Sequence, residues 1–271
     1  MSKLTLTWDD TAAAWAAHLR AAGRSTGTIK LRLSHIRRLS RDVQVPPADV
    51  TADQLTEWLG RPEWSGDTRR SHRASVAGFY GWLHSSGRVE ANPAGALPSA
   101  SSRRGRPRPA AETAITAALA TADARDSLMI RCAAHAGMRA CEIATLHSSR
   151  IFQDFTGWSV TVIGKGGKLR DIPLTKRLAL DLRAAGTGWI FPGRLDGHLS
   201  ASYVSKRLSW ALGSNVTGHM LRHRFASAAY AAERDLRAVQ ELLGHTSPAT
   251  TAIYTAIPDQ ALRRAVLAAA G

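Results

Sequence analysis

Residue patterning predicts a mainly α-helical protein of two domains, the second of which carries a small β-sheet. Apolar residues recur at three- and four-residue spacing through the first hundred positions and again from about Leu199, the period of helices with one buried face. Two short runs, 158–163 and 169–174, are rich in β-formers and flank the glycine-rich turn Gly164-Lys-Gly-Gly-Lys168, as in a hairpin. Between the halves lies 99–109, a stretch of small residues, prolines and four arginines with no apolar anchor. Its prolines oppose helix and favour extended chain. The expected organisation is therefore a helical domain over 1–98, a basic linker over 99–109 and a mixed α/β domain over 110–271.

In the first domain, Thr7 or Asp9 caps a helix that runs through Trp15 and Leu19 and stops at Gly23. Ser25 caps the next, with Ile29, Leu33 and Ile36 on one face and Lys30, Arg32, Arg37, Arg38 and Arg41 on the other. Thr51 and Gln54 have the spacing of a capping box. A fourth helix is expected from about Asp67 to Ser86, its apolar stripe formed by Val76, Phe79, Tyr80 and Leu83, with Arg69, Arg70 and Arg73 in its first turns. Two helices with basic faces suit contact with a DNA groove. Ordinary solvated faces would give the same pattern. In the second domain, 126–146 reads as a helix broken near Gly137, and the chain beyond Leu199 is mainly helical.

With 271 residues, 44% of them hydrophobic, the chain is long enough to bury a sizeable core and too apolar to be a disordered tail. No apolar run reaches the ~18 residues of a membrane span, and the acids at Asp9 and Asp10 leave no signal-peptide h-region. Cys132 and Cys141 lack zinc spacing, and both are expected as small core residues in a reducing compartment, hence a cytoplasmic protein. The net charge of +15 points to a polyanion, most commonly a nucleic acid, rather than to a membrane. Residues 1–100 carry 13 basic and 9 acidic side chains, or +4, and residues 101–271 carry 23 and 12, or +11. Most phosphate contacts should therefore fall in the second domain.

Four segments there carry chemistry: Gly137-Met-Arg139-Ala-Cys-Glu142, the hairpin with Lys165 and Lys168, His219-Met-Leu-Arg222-His-Arg-Phe-Ala226, and Leu242-Leu-Gly-His245 with Tyr254 nine residues on. Singly, each has an ordinary reading: a solvated arginine, a polar turn, a packed tyrosine. The hairpin lacks the spacing of a P-loop, so nucleotide binding is not expected. His219 and His223 are four apart on one helix face, but without an acidic or cysteine partner they make a poor metal site. Together the segments hold what metal-free phosphoryl transfer requires. Guanidiniums neutralise phosphate oxygens, a tyrosine hydroxyl attacks phosphorus, and lysine and histidine move protons.

The order and spacing of these segments resemble the tyrosine recombinases, the phage integrase family. The resemblance extends to the first domain through Thr68-Arg69, Phe79-Tyr-x-Trp82-Leu and Asn92-Pro93. It implies a two-domain DNA clamp: a helical, SAM-like core-binding domain and a mixed α/β catalytic domain. It implies site-specific DNA breakage and rejoining through a 3′-phosphotyrosyl intermediate, with no metal, ATP or other cofactor. Arg139 and Arg222 would hold the scissile phosphate, and Lys165 would protonate the departing 5′ oxygen. His219 would assist proton transfer at the nucleophile, His245 would hydrogen-bond a phosphate oxygen, Tyr254 would be the nucleophile, and Glu142 would support the site near Arg139. Lys168 is the alternative general acid if the hairpin register differs. Contact with double-stranded DNA would come from Lys30, Arg37, Arg69, Arg70, Arg73, Arg104, Arg106 and Lys168. The expected assembly is a homotetramer on paired sites, coupled by a C-terminal helix over Leu262, Val266 and Leu267, with an accessory directionality factor admitted as a further partner. The first helix begins within about ten residues of Met1, so the compact form without an arm-binding domain is expected. A type IB topoisomerase and a DNA-binding protein that has lost cleavage are the alternatives. The residue types required for cleavage are all present.

Overall fold

The computed structural model describes residues 6–99, 108–164, 167–213, 216–244, 251 and 266–269. The chain divides into two compact units, Met1–Gly105 and Arg106–Gly271. Among the described residues no helix is long and apolar enough to cross a membrane.

The described residues of the first unit form four helices, α1 (Trp8–Ala21), α2 (Thr26–Val43), α3 (Ala52–Leu59) and α4 (Gly66–Ser85). Each begins where a hydroxyl side chain meets an unpaired backbone N–H. Thr7, rather than Asp9, accepts from the Asp10 N–H, Ser25 from Thr28 and Ser65 from Thr68. Thr51 and Gln54 form both halves of the capping box. The apolar faces meet around Trp15, Leu39, Leu55, Val76, Phe79 and Leu83, all essentially inaccessible to water.

Two histidines are buried beside that core. His35 of α2 and His72 of α4 stack with ring centroids 3.9 Å apart, and the His72 ring also contacts Trp58 and Trp64. His35 Nδ1 lies 2.8 Å from Ser75 Oγ, and His72 Nδ1 3.0 Å from the Thr68 carbonyl. Burial, His72 and Arg38 together push the His35 pKa down to about 4. Burial likewise holds His72 below its ordinary value, with Arg38 and Arg61 adding to the effect against the Thr68 hydrogen bond and Asp42. As pH falls through 6.5, the unfolded chain takes up protons that the native unit resists. The stability tied to these groups is thus present above pH 6.5 and lost as the pH falls; for His35 the loss runs toward pH 4 and amounts to about 3 kcal/mol. Denaturant melts followed by tryptophan fluorescence should show this loss for the first unit, and the slope should flatten in His35→Gln/His72→Gln. An unchanged slope in that variant would place the acid sensitivity elsewhere.

The second unit contains α5 (Glu112–Thr121), α6 (Ala124–His135), α7 (Ala140–Ala144), strands β1 (Ile151–Asp154), β2 (Gly157–Ile163) and β3 (Leu169–Leu174), α8 (Lys176–Ala184), β4 (Pro192–Leu195), α9 (Ala201–Leu212), α10 (Gly218–Glu233) and α11 (Leu236–Leu243). The sheet is antiparallel in the order β1-β2-β3, with Val160 opposite both Ile151 and Ile172 on its buried face. Helix α6 lies deep in the second unit, and its Met129, Ile130, Cys132, Ala133 and Ala134 are fully buried among α8, α9 and α10. The expected hairpin strands are present, while α5, β1, α8 and β4 add to the expected set.

One cysteine departs from expectation. Cys132 is buried, and burial pushes its thiol pKa up to about 12. Cys141 is exposed, because the short α7 turns Glu142, Ile143 and Ala144 inward and leaves this position on the outside.

Candidate active site

The site is organised by a helix break. After α6 the chain turns at Gly137, whose φ of +62° lies in the left-handed region. A Cβ there would also sit 2.4 Å from Phe225 Cδ1 of α10. Only glycine admits this approach, and it brings the Arg139 and His219–Arg222 segments together. The turn delivers Arg139 to the N-cap of α7, where its side chain remains one-third exposed.

Behind Arg139 lies Glu142, whose carboxylate is wholly buried. Oε2 accepts the Arg139 backbone N–H at 2.8 Å and Oε1 accepts Arg139 Nη1 at 2.9 Å. Arg170 of β3 then binds the same carboxylate through both oxygens, at 2.6 and 2.8 Å. Burial alone would raise the Glu142 pKa, but the Arg170 and Arg139 hydrogen bonds and the charges of Arg170 and Arg222 hold it below the usual value. The carboxylate therefore stays ionised and orients its arginines.

Arg222, on α10, is almost fully buried. Its Nη1 donates to the Gly137 carbonyl and its Nη2 to the Leu243 carbonyl, and Nη1 lies 4.0 Å from Glu142 Oε2. It thus ties the glycine turn to the end of α11. Thr217 caps α10 and places His219 in its first turn. Arg139, His219 and Arg222 line one cleft of about 340 Å³, together with Ser205, Ser209 and Thr217. Burial, followed by the charges of Arg222 and Arg139, lowers the His219 pKa. Burial, then His219 and Arg222, lowers that of His223 to about 4. The two rings meet edge to face at 4.3 Å. A neutral imidazole beside two guanidiniums can accept a proton while the guanidiniums neutralise an anion.

Arg139, Glu142, His219 and Arg222 are thus brought together as the sequence suggested. Lys165, His245 and Tyr254 lie outside the described residues, as do Arg104 and Arg106. The described residues next to Lys165 and just before His245 adjoin the cluster. The Gly164 N–H donates to the Lys168 carbonyl at 2.7 Å across the hairpin base, and α11 ends at Leu243–Gly244, immediately before His245. Lys168, Lys30 and Arg37 are exposed, and exposed Arg70 pairs with Asp67.

Two expected DNA-contacting arginines prove to have a structural task. Arg69 donates from Nε to the Leu59 carbonyl and from Nη2 to that of Arg61, and Arg73 donates to the carbonyls of Leu97 and Pro98. Through Nε and Nη2 both guanidiniums hold chain segments that lie beside α4. Arg170 was not anticipated. It shares its strand face with buried Ile172 and Leu174, and an arginine at an inward position of a strand was the available signal.

The cleft offers cationic hydrogen-bond donors in front and an ionised carboxylate behind them, an arrangement that can hold an anion such as a phosphodiester. Comparison with known proteins agrees. The phage integrase family profile matches residues 109–261. The chain is 35% identical to tyrosine recombinase XerC of Chromobacterium violaceum, over 91% of this chain and 90% of that protein, and 34% identical to the XerC of Azotobacter vinelandii, over 79% and 78%. Among solved structures, a lambda integrase (75–356) dimer bound to a COC′ core site superposes with a TM-score of 0.73 at 21% identity, covering 91% of this chain and 93% of that one, a likeness of fold. The chain belongs to the phage integrase family and is a tyrosine-type site-specific DNA recombinase.

Proposed function

We propose that the protein cuts duplex DNA by attack of the Tyr254 hydroxyl oxygen on the scissile phosphorus. The new O–P bond forms as the P–O5′ bond breaks, leaving a 3′-phosphotyrosyl link and a free 5′-hydroxyl. His219 accepts the tyrosine proton and Lys165 supplies one to the departing 5′ oxygen. Arg139 and Arg222 take the charge on the non-bridging oxygens, with His245 as a further donor. Rejoining is the reverse with a different 5′-hydroxyl. The phosphotyrosine retains the energy of the phosphodiester, so ATP is not needed, and the guanidiniums supply the charge that a metal would otherwise provide. The convergence of Arg139, His219 and Arg222 on one cleft, braced by Glu142, carries this reading.

On paired sites the active species is a homotetramer on double-stranded DNA in the cytoplasm, because two duplexes require four cuts held in one complex. A lambda integrase tetramer bound to a Holliday junction has this fold with a TM-score of 0.72. Val266 and Leu267, helical and two-thirds exposed, offer an apolar surface suited to docking on a neighbour. An accessory factor would set direction.

The test is a trapped intermediate. Duplexes enriched from a randomised pool by binding to the protein are nicked near the centre, so that cleavage releases a short fragment and strands the enzyme. In EDTA and without ATP, denaturing gels should show a covalent protein–DNA band. A strict Mg²⁺ requirement for that band, or its absence on duplexes that are bound tightly, would overturn the mechanism.

A further inference from the structure

We propose that Arg170 is a positioning residue for strand cleavage, holding Glu142 so that Arg139 is left free for the phosphate. The inference rests on the reaction given above. Arg170 occupies the junction of three segments: its own hairpin, α7 and the end of α11. It binds both oxygens of Glu142, its Nε donates to the Leu242 carbonyl at the end of α11 at 3.0 Å, and its side chain is 12% exposed. A Cβ on Gly164, at the base of the hairpin, would come within 3.6 Å of Arg170 Nη1 and 4.0 Å of Glu142 Oε1. One on Gly244, at the end of α11, would come within 2.9 Å of Arg170 Cδ. Both glycines thus keep the backbone close to this side chain. The hairpin that bears Lys165 and the turn that precedes His245 are packed against one guanidinium, which itself sits behind the cleft.

The electrostatic consequence follows from Glu142. Its buried carboxylate needs cationic partners, and Arg170 meets this need with a bidentate fork. Arg139 then spends only its backbone N–H and one guanidinium nitrogen on Glu142. Without Arg170 the carboxylate would draw Arg139 inward, away from the substrate. A displacement on the order of 1 Å at a reacting centre costs about 10²-fold in rate.

The experiment compares wild type, Arg170→Ala, Arg170→Lys, Arg139→Ala and the Arg139→Ala/Arg170→Ala double variant for half-site affinity and single-turnover adduct formation. Arg170→Ala should bind the half-site almost as wild type does and cleave about 10²-fold more slowly. Arg170→Lys, which keeps the charge and loses the fork, should recover part of the rate. The double variant should be no slower than Arg139→Ala, because Arg170 acts through Arg139. A neutral methylphosphonate at the scissile position needs less cationic stabilisation and should bring Arg170→Ala close to wild type on the same substrate, a rescue that a folding defect would not show. Wild-type cleavage together with a near-normal Arg170→Ala rate, or with losses at 139 and 170 that multiply in full, would overturn the inference. If Arg170→Ala fails to fold, Arg170→Lys is judged by the same rescue, and its failure to respond counts against the proposal. Failure of wild type itself to form an adduct strikes the proposed reaction instead.

Discussion

Tyr254→Phe should bind its half-site as wild type does and form no covalent adduct, a rate loss of about 10⁴-fold or more by the standard of other nucleophile deletions. The substitution removes one oxygen and keeps the ring, so folding and DNA contacts are spared while the attacking atom is gone. The chain has four tyrosines, and the environments of the other three suit them poorly to the role. Tyr80 is fully buried in the helical unit, and its burial raises the pKa of its hydroxyl. Tyr203 lies beneath the Arg125 guanidinium, 5.9 Å from its ring centroid. Tyr230 pairs with Arg234 near the far end of α10, more than two turns beyond His219 and Arg222. Tyr203→Phe and Tyr230→Phe should therefore cleave normally. An undiminished adduct in Tyr254→Phe, or its loss in either control, would reassign the nucleophile.

What could be read from the sequence was local or strongly periodic. The caps at Thr7, Ser25 and Thr51 were legible because a side-chain oxygen and a backbone N–H three residues on decide a helix start with little help from elsewhere. The helix break at Gly137 was legible, and its cause was not, since Phe225 is 88 positions away in sequence. Helix α5 carried little signal, because its run of alanines and threonines gives no contrast between faces. Arg139, Glu142, His219 and Arg222 were singled out by the resemblance of their motifs to the family, and the fold brings them together. Arg170 needed knowledge of which strand face is inward and of what meets it there, a carboxylate from α7 and a carbonyl from α11. Arg69 and Arg73 show the converse limit. Periodicity placed them on a basic face, and it could not foresee that the chain would return to accept their hydrogen bonds.

The two arginines proposed to hold the phosphate should separate when they are replaced. Arg222→Ala is expected to lower cleavage by about 10²-fold or more, as removal of a donor to developing charge does. It should also destabilise the second unit by about 2–4 kcal/mol, because the carbonyls of Gly137 and Leu243 lose a buried donor and Glu142 loses a nearby cation. Arg139→Ala should match it in rate loss with a far smaller effect on stability, since its side chain is one-third exposed and Arg170 continues to neutralise Glu142. The difference arises from position in the fold. Arg139 projects from a helix N-cap into the cleft, whereas Arg222 reaches the cleft through the core and pins α11 to the glycine turn on the way. Single-turnover cleavage and urea melts of the two variants, measured side by side, decide the matter. If Arg222→Ala melts as wild type does, its buried hydrogen bonds do not hold the turn to α11. If it loses stability and still cleaves at the wild-type rate below its melting range, Arg222 is a structural residue and the phosphate is held by others.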